Sequence, residues 1–147
     1  MTGISGFSVE MINAMMGEFN QRIGLKVVEV GPDRVVGTLP VDGNRQPYGL
    51  LHGGANASLA EALGSIAAAV NAGMHKATMG VELSCTHHRA ARAGLVTGVC
   101  VPLHVGRTMS TFETVITDEQ GNRTCTARLT CLVKDNPPGG NGQATPR

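Results

Sequence analysis

The chain has 147 residues, 41% hydrophobic and 16% charged, with a formal net charge of +1. That length suits one domain able to bury most of its apolar surface without cross-links or metals, and so small a charge gives no electrostatic footprint for nucleic acid or an acidic membrane. No apolar run approaches the roughly 20 residues that span a bilayer, and the N-terminal stretch carries Glu10 and Glu18 without a basic cluster, so a soluble cytoplasmic protein is expected.

Ser8 can cap a helix in which Val9, Ile12, Met16 and Phe19 recur at helical spacing, which predicts one amphipathic surface helix ending near Phe19 or Asn20. Residues 25–30 and 35–41 are rich in β-branched side chains and are separated by Gly31, Pro32 and Asp33, the pattern of a hairpin. Residues 43–51 contain Asn44, Pro47 and Gly49 without periodicity and read as a loop. Residues 54–72 hold no proline, are dominated by Ala and Leu, and stop at Gly73, which predicts one long helix. Its apolar residues spread around nearly the whole circumference, so it should be buried on most sides.

Four β-prone runs follow, at residues 78–86, 95–103, 108–117 and 123–133, with reversals expected at 92–94 and 118–122. Cys85, Cys100, Cys125 and Cys131 lie inside these runs without a CxxC pair and read as reduced core thiols. From residue 136 onward nothing is apolar enough to bury, so residues 1–135 form the expected domain and 136–147 a disordered tail. The order of elements points to an α+β fold, an antiparallel sheet wrapped around a long central helix.

Two features carry chemistry. His52-Gly53-Gly54 opens the long helix, where backbone N–H groups lack partners within the helix and the dipole favours negative charge. Such amides can polarise a thioester carbonyl, although a tight loop needing glycine would look the same. Glu61 is a carboxylate in the middle of an Ala/Leu helix, costly if buried without use. Ser58, Glu61 and Ser65 share its stripe, which alternatively faces solvent or a partner subunit. His87 and His88 are adjacent on a strand end and point to opposite faces, so they do not share a metal. His75 has no motif and reads as a solvated loop residue.

The run HGGANASLAEALGSIAAAV, with its acidic residue nine positions after the His, resembles the signature of the phenylacetate-degradation and 4-hydroxybenzoyl-CoA type hotdog thioesterases. Gln46-Pro47-Tyr48-Gly49-Leu50-Leu51, Met79-Gly80-Val81-Glu82, His87-His88-Arg89-Ala90-Ala91-Arg92 and the segment from Val99 to Gly106 extend the likeness in order over roughly residues 8 to 133. Within that family they resemble the dihydroxynaphthoyl-CoA branch of menaquinone synthesis and its enterobactin-pathway paralogue.

The resemblance implies a single hotdog domain with Glu61 as catalytic carboxylate, either attacking the thioester or activating water. It also implies the Gly53 amide as oxyanion donor, Gln46 and His52 shaping the carbonyl and leaving-group side, and Ser65 orienting water or substrate. Gly80, His87, His88 and Arg89 would bind substrate, with His87 and Arg89 bordering the acyl or pantetheine channel. His104, Gly106, Arg107 and Thr108 would contact the CoA nucleotide, Arg107 on a phosphate. Tyr48 and Leu51 are candidates for the acyl pocket.

The expectation is a homotetramer, a dimer of dimers with active sites at a subunit interface, hydrolysing an aromatic, hydroxylated acyl-CoA without metal or redox cofactor. A broad-range hydrolase of short and medium acyl chains and a non-catalytic acyl-CoA sensor are the rival readings. A dehydratase, also known on this fold, would need a His and Asp arrangement that the helix lacks.

Overall fold

Residues 6–136 are described by a computed structural model. In chain order it contains helices α1 (Val9–Ala14) and α2 (Gly17–Arg22), strands β1 (Lys26–Val30) and β2 (Val35–Pro40), helix α3 (Gly53–Ala72), and strands β3 (Lys76–His87), β4 (Leu95–Val105), β5 (Met109–Thr117) and β6 (Arg123–Asp135). The six strands form one antiparallel sheet in the order β1-β2-β4-β5-β6-β3, with α3 packed along its concave side. This is the α+β architecture expected from the sequence.

The long helix forms as its composition dictates. The His52 ring caps it by accepting the Gly54 N–H at Nδ1, 2.8 Å away, and Gly73 at φ 83° ends it. Leu59 and Leu63 are fully buried against the sheet. They reach it because β2 and β4 carry glycine there: a Cβ built on Gly37 or Gly98 would stand 2.8 Å from Leu63. Phe112 and Ile116 on β5 and Leu129 on β6 complete the core beneath α3.

Two expectations change. The N-terminal segment is two short helices rather than one, because Gly17 takes φ 75° after Met15 and Met16 and breaks the helical path. Ser8 does cap the first, its hydroxyl accepting the Met11 N–H at 3.1 Å. The reversal expected at residues 92–94 does not join neighbouring strands: β3 lies at the far edge beside β6, so the chain crosses the sheet before β4 pairs with β2. The hairpin at Asp118 holds, the aspartate accepting the N–H groups of Gln120 and Asn122. The tail expected beyond residue 136 lies outside the described residues.

Candidate active site

The loop before α3 is held by side chains that terminate on backbone groups. Asn44 donates through Nδ2 to the Ile23 and Pro40 carbonyls at 2.7 and 2.8 Å, and its own carbonyl accepts the His52 N–H at 2.8 Å. The Arg45 guanidinium donates to the Gly49 and Arg92 carbonyls and pairs with Asp42. Gln46 donates its N–H to the Leu50 carbonyl at 2.8 Å, and its side-chain oxygen accepts from the Tyr48 N–H. Together these contacts fix where α3 begins. His52 occupies the Gly54 amide, whereas the Gly53 amide has no acceptor among the described residues. The His87 ring borders Gly53, and a Cβ built there would stand 3.0 Å from Nε2.

Two turns further along α3, Glu61 projects from the helix face that looks away from the sheet's centre. Ser58, Glu61 and Ser65 line a cavity of about 660 Å³ whose opposite wall is Phe7, Met11 and Met15. The polar stripe therefore meets an apolar chamber roofed by α1 and α2. Ser58 spends its hydroxyl proton on the Gly54 carbonyl at 2.7 Å, so it is tied to the helix. Glu61 has no hydrogen-bond or ion-pair partner among the described residues, and its Oε1 would stand 2.6 Å from a Cβ on Gly80, so any larger residue there would push the carboxylate out of its present position beside β3. Burial raises the Cys85 and Cys131 thiols, and the nearby Glu61 carboxylate adds to the rise in both.

Within one chain the expected site residues fall into two groups. Gly53 and Glu61 are eight residues apart on one helix, about 12 Å along its axis at 1.5 Å per residue. Gly80 pairs with Cys131, which pairs with Ser110; His87 pairs with Cys125, which pairs with Ile116. His104 lies near the end of β4, and Gly106, Arg107 and Thr108 form the β4–β5 turn, on the Gly80 and Glu61 end of the sheet. There the Gly106 N–H donates to the Met109 carbonyl at 3.0 Å, and His104, Arg107 and Thr108 are exposed. Gln46, His52, Gly53, His87 and exposed Arg89 occupy the other end. His88 turns to the opposite face and meets Thr126 Oγ1 at 2.9 Å.

Tyr48, expected near the acyl group, is 89% exposed on the loop, and Leu51 is buried in the core; neither lines the cavity beside Glu61. Met11, Met15 and Phe7 do, although sequence reasoning gave the N-terminal segment no part in the site. Their signal was a run of flexible apolar side chains on a helix too short to bury them. Asn56 was also missed, a polar residue on the same stripe as Leu59 and Leu63. His75 is exposed, as read. Among the described residues no group of three or more His, Cys, Asp or Glu could hold a metal ion, and no helix is long and apolar enough to cross a membrane.

An antiparallel sheet curled about one helix, with a lone carboxylate facing an apolar chamber and a free amide at the helix start, defines a hotdog hydrolase. The family model of the thioesterase superfamily matches residues 48–125, and the chain belongs to that family. It is a thioester hydrolase. The proofreading thioesterase EntH of Cronobacter turicensis is 45% identical over 128 residues, covering 86% of this chain and 93% of that protein. The crystal structure of the Haemophilus influenzae thioesterase HI1161 superposes with a TM-score of 0.86 at 31% identity, covering 92% and 96% of the two chains. A mutant of the Pseudomonas aeruginosa thioesterase PA1618 gives the same TM-score at 30% identity, covering 92% and 100%.

Proposed function

We propose that this chain hydrolyses an aromatic acyl-CoA, with Glu61 as nucleophile or general base and the Gly53 amide as oxyanion donor, in active sites shared between two subunits. The observation that carries the reading is the separation along α3. An unpaired carboxylate and a free amide about 12 Å apart on one helix do not act on the same carbonyl, yet each abuts β3, Glu61 at Gly80 and Gly53 at His87. A two-fold axis crossing β3 midway sets Gly80 of one subunit opposite the partner's His87, and so brings Glu61 to the partner's Gly53. Both termini of the site are then complete.

The chemistry follows from the groups present. A thiolate is a good leaving group, so a deprotonated carboxylate and an oxyanion donor meet the main demands of thioester hydrolysis. The cavity between Glu61, Met11, Met15 and Phe7 suits an apolar acyl group, with Ser65 on its rim to orient water. Gln46 and His52 shape the carbonyl side, Gly80, His87 and Arg89 contact the substrate near the pantetheine channel, His88 is left out of the site because it faces Thr126, and His104, Gly106, Arg107 and Thr108 receive the CoA nucleotide. Pairs of such dimers give the homotetramer, and the reaction needs no cofactor beyond the substrate's own CoA.

The methionine wall favours a second reading, a broad-range acyl-CoA hydrolase, because flexible thioethers adapt to different acyl shapes. Release of free thiol from benzoyl-, hydroxybenzoyl-, naphthoyl-, phenylacetyl-, hexanoyl- and palmitoyl-CoA separates the two. Fastest turnover is expected for the aryl substrates, falling by about 10²–10⁴ in Glu61→Ala. Faster aliphatic turnover overturns the substrate class, and an active Glu61→Ala overturns the mechanism.

A further inference from the structure

Asn56 is the fourth residue of α3 and is 5% exposed, on a face otherwise given to Ala and Leu. Its Oδ1 is buried without a hydrogen-bond partner among the described residues, so its amide is not there to satisfy the core. What the amide does reach is His87: Nδ2 lies 3.3 Å from the ring's Nδ1. An amide nitrogen can only donate, so Nδ1 accepts and the neutral ring carries its proton on Nε2. Nε2 is the ring atom nearest to where a Cβ on Gly53 would stand, and the Gly53 N–H has no acceptor among the described residues.

We propose that Asn56 is a positioning residue that holds His87 as the neutral Nε2–H tautomer, making that N–H a second donor beside the Gly53 amide for the thioester carbonyl oxygen. The proposal rests on the reading of Gly53 as the oxyanion donor. No proton moves in this role: the ring donates a hydrogen bond that strengthens as negative charge gathers on the oxygen. His88, adjacent in sequence, has no such contact and faces Thr126, so the arrangement belongs to one of the two histidines. The orphaned Oδ1 is the cost of orienting the amide with its nitrogen toward the ring.

The test combines nuclear magnetic resonance with kinetics on the full chain. Long-range nitrogen–proton correlation spectra, with His87 assigned through His87→Gln, should show a neutral ring protonated at Nε2. Asn56→Asp has nearly the same shape but can only accept, so it should shift the proton to Nδ1 or produce the imidazolium. On benzoyl-CoA it should lower kcat about tenfold, less than loss of a direct oxyanion donor, with KM within about twofold. In the His87→Gln background Asn56→Asp should add no further loss. A wild-type ring protonated at Nδ1 overturns the proposal, as does an equal loss in both backgrounds, which marks a merely structural role. If the tautomer and its switch are seen but no thioester in the panel is cleaved, the positioning stands and the proposed function falls.

Discussion

The two edges of the sheet are built on opposite plans. The β1 edge is short, is bulged between Val27 and Glu29, and is closed by α1: Asn13 donates through Nδ2 to the Val27 carbonyl at 2.8 Å and accepts the Val27 N–H at 2.9 Å. One side chain thus imitates a neighbouring strand. The β3 edge is bulged too, between Gly80 and Glu82, but it runs for 12 residues, pairs only with β6 among the described residues, and leaves Met79 and Val81 about half exposed with no helix across them. Proteins that work as monomers blunt such an edge with charge, proline or a covering element. The contrast teaches that one edge is finished within the chain and the other is left open among the described residues, where the proposed two-fold contact would lie. The unfinished edge is also the one against which Glu61 and the Gly53–His87 pair both lie.

Changing each edge separately should break the contrast. The largest effect is expected from Val81→Lys/Ser84→Lys, which would bring four added charges to the proposed two-fold interface. Sedimentation should show monomer, with activity at dilution down by about 10–100-fold while the fold, read by circular dichroism, persists. Intact oligomers would separate the β3 edge from assembly. Asn13→Ala removes both bonds at the β1 edge and should cost about 1–3 kcal/mol in urea unfolding, with no change in oligomeric state. A change in assembly there would mean that β1 is not a closed edge.

The smallest effect concerns the thiols. Burial pushes Cys100 and Cys131 up to about 11 and Cys125 up to about 12, so near neutral pH they stay protonated and unreactive in the native state. Cys85, half-buried on β3, should be the first thiol alkylated by iodoacetamide, and the other three should react only on unfolding. Mass mapping of the labelled protein checks the order; early labelling of Cys100 would contradict the packing of β4 against α3.

Much of this was legible in the chain itself. The absence of proline and the Ala and Leu content of residues 54–72 fixed α3, because helix propensity and a terminating Gly73 are local signals. The hairpin between β1 and β2 was equally local. The position of β3 at the far edge was not, since alternation along a strand says nothing about which strands will flank it. Gly17 breaks the N-terminal helix through a backbone angle that periodicity does not encode. Among site residues, Glu61 stood out as a charge in an apolar helix, while Asn56 did not, because its meaning depends on His87, 31 positions away and brought near only by the fold. Arg45 and Asn44 act through backbone carbonyls, contacts that residue types alone do not announce.

The shared site is tested most directly by mixing two inactive variants, Glu61→Gln and Gly53→Val, after subunit exchange in mild denaturant. Each heterodimer would hold one site with both defects and one with neither. Random pairing then predicts recovery of about a quarter of wild-type thioesterase activity from two proteins that are each inactive. Activity that stays at the level of the separate variants, with heterodimers present by native mass spectrometry, would contradict the account.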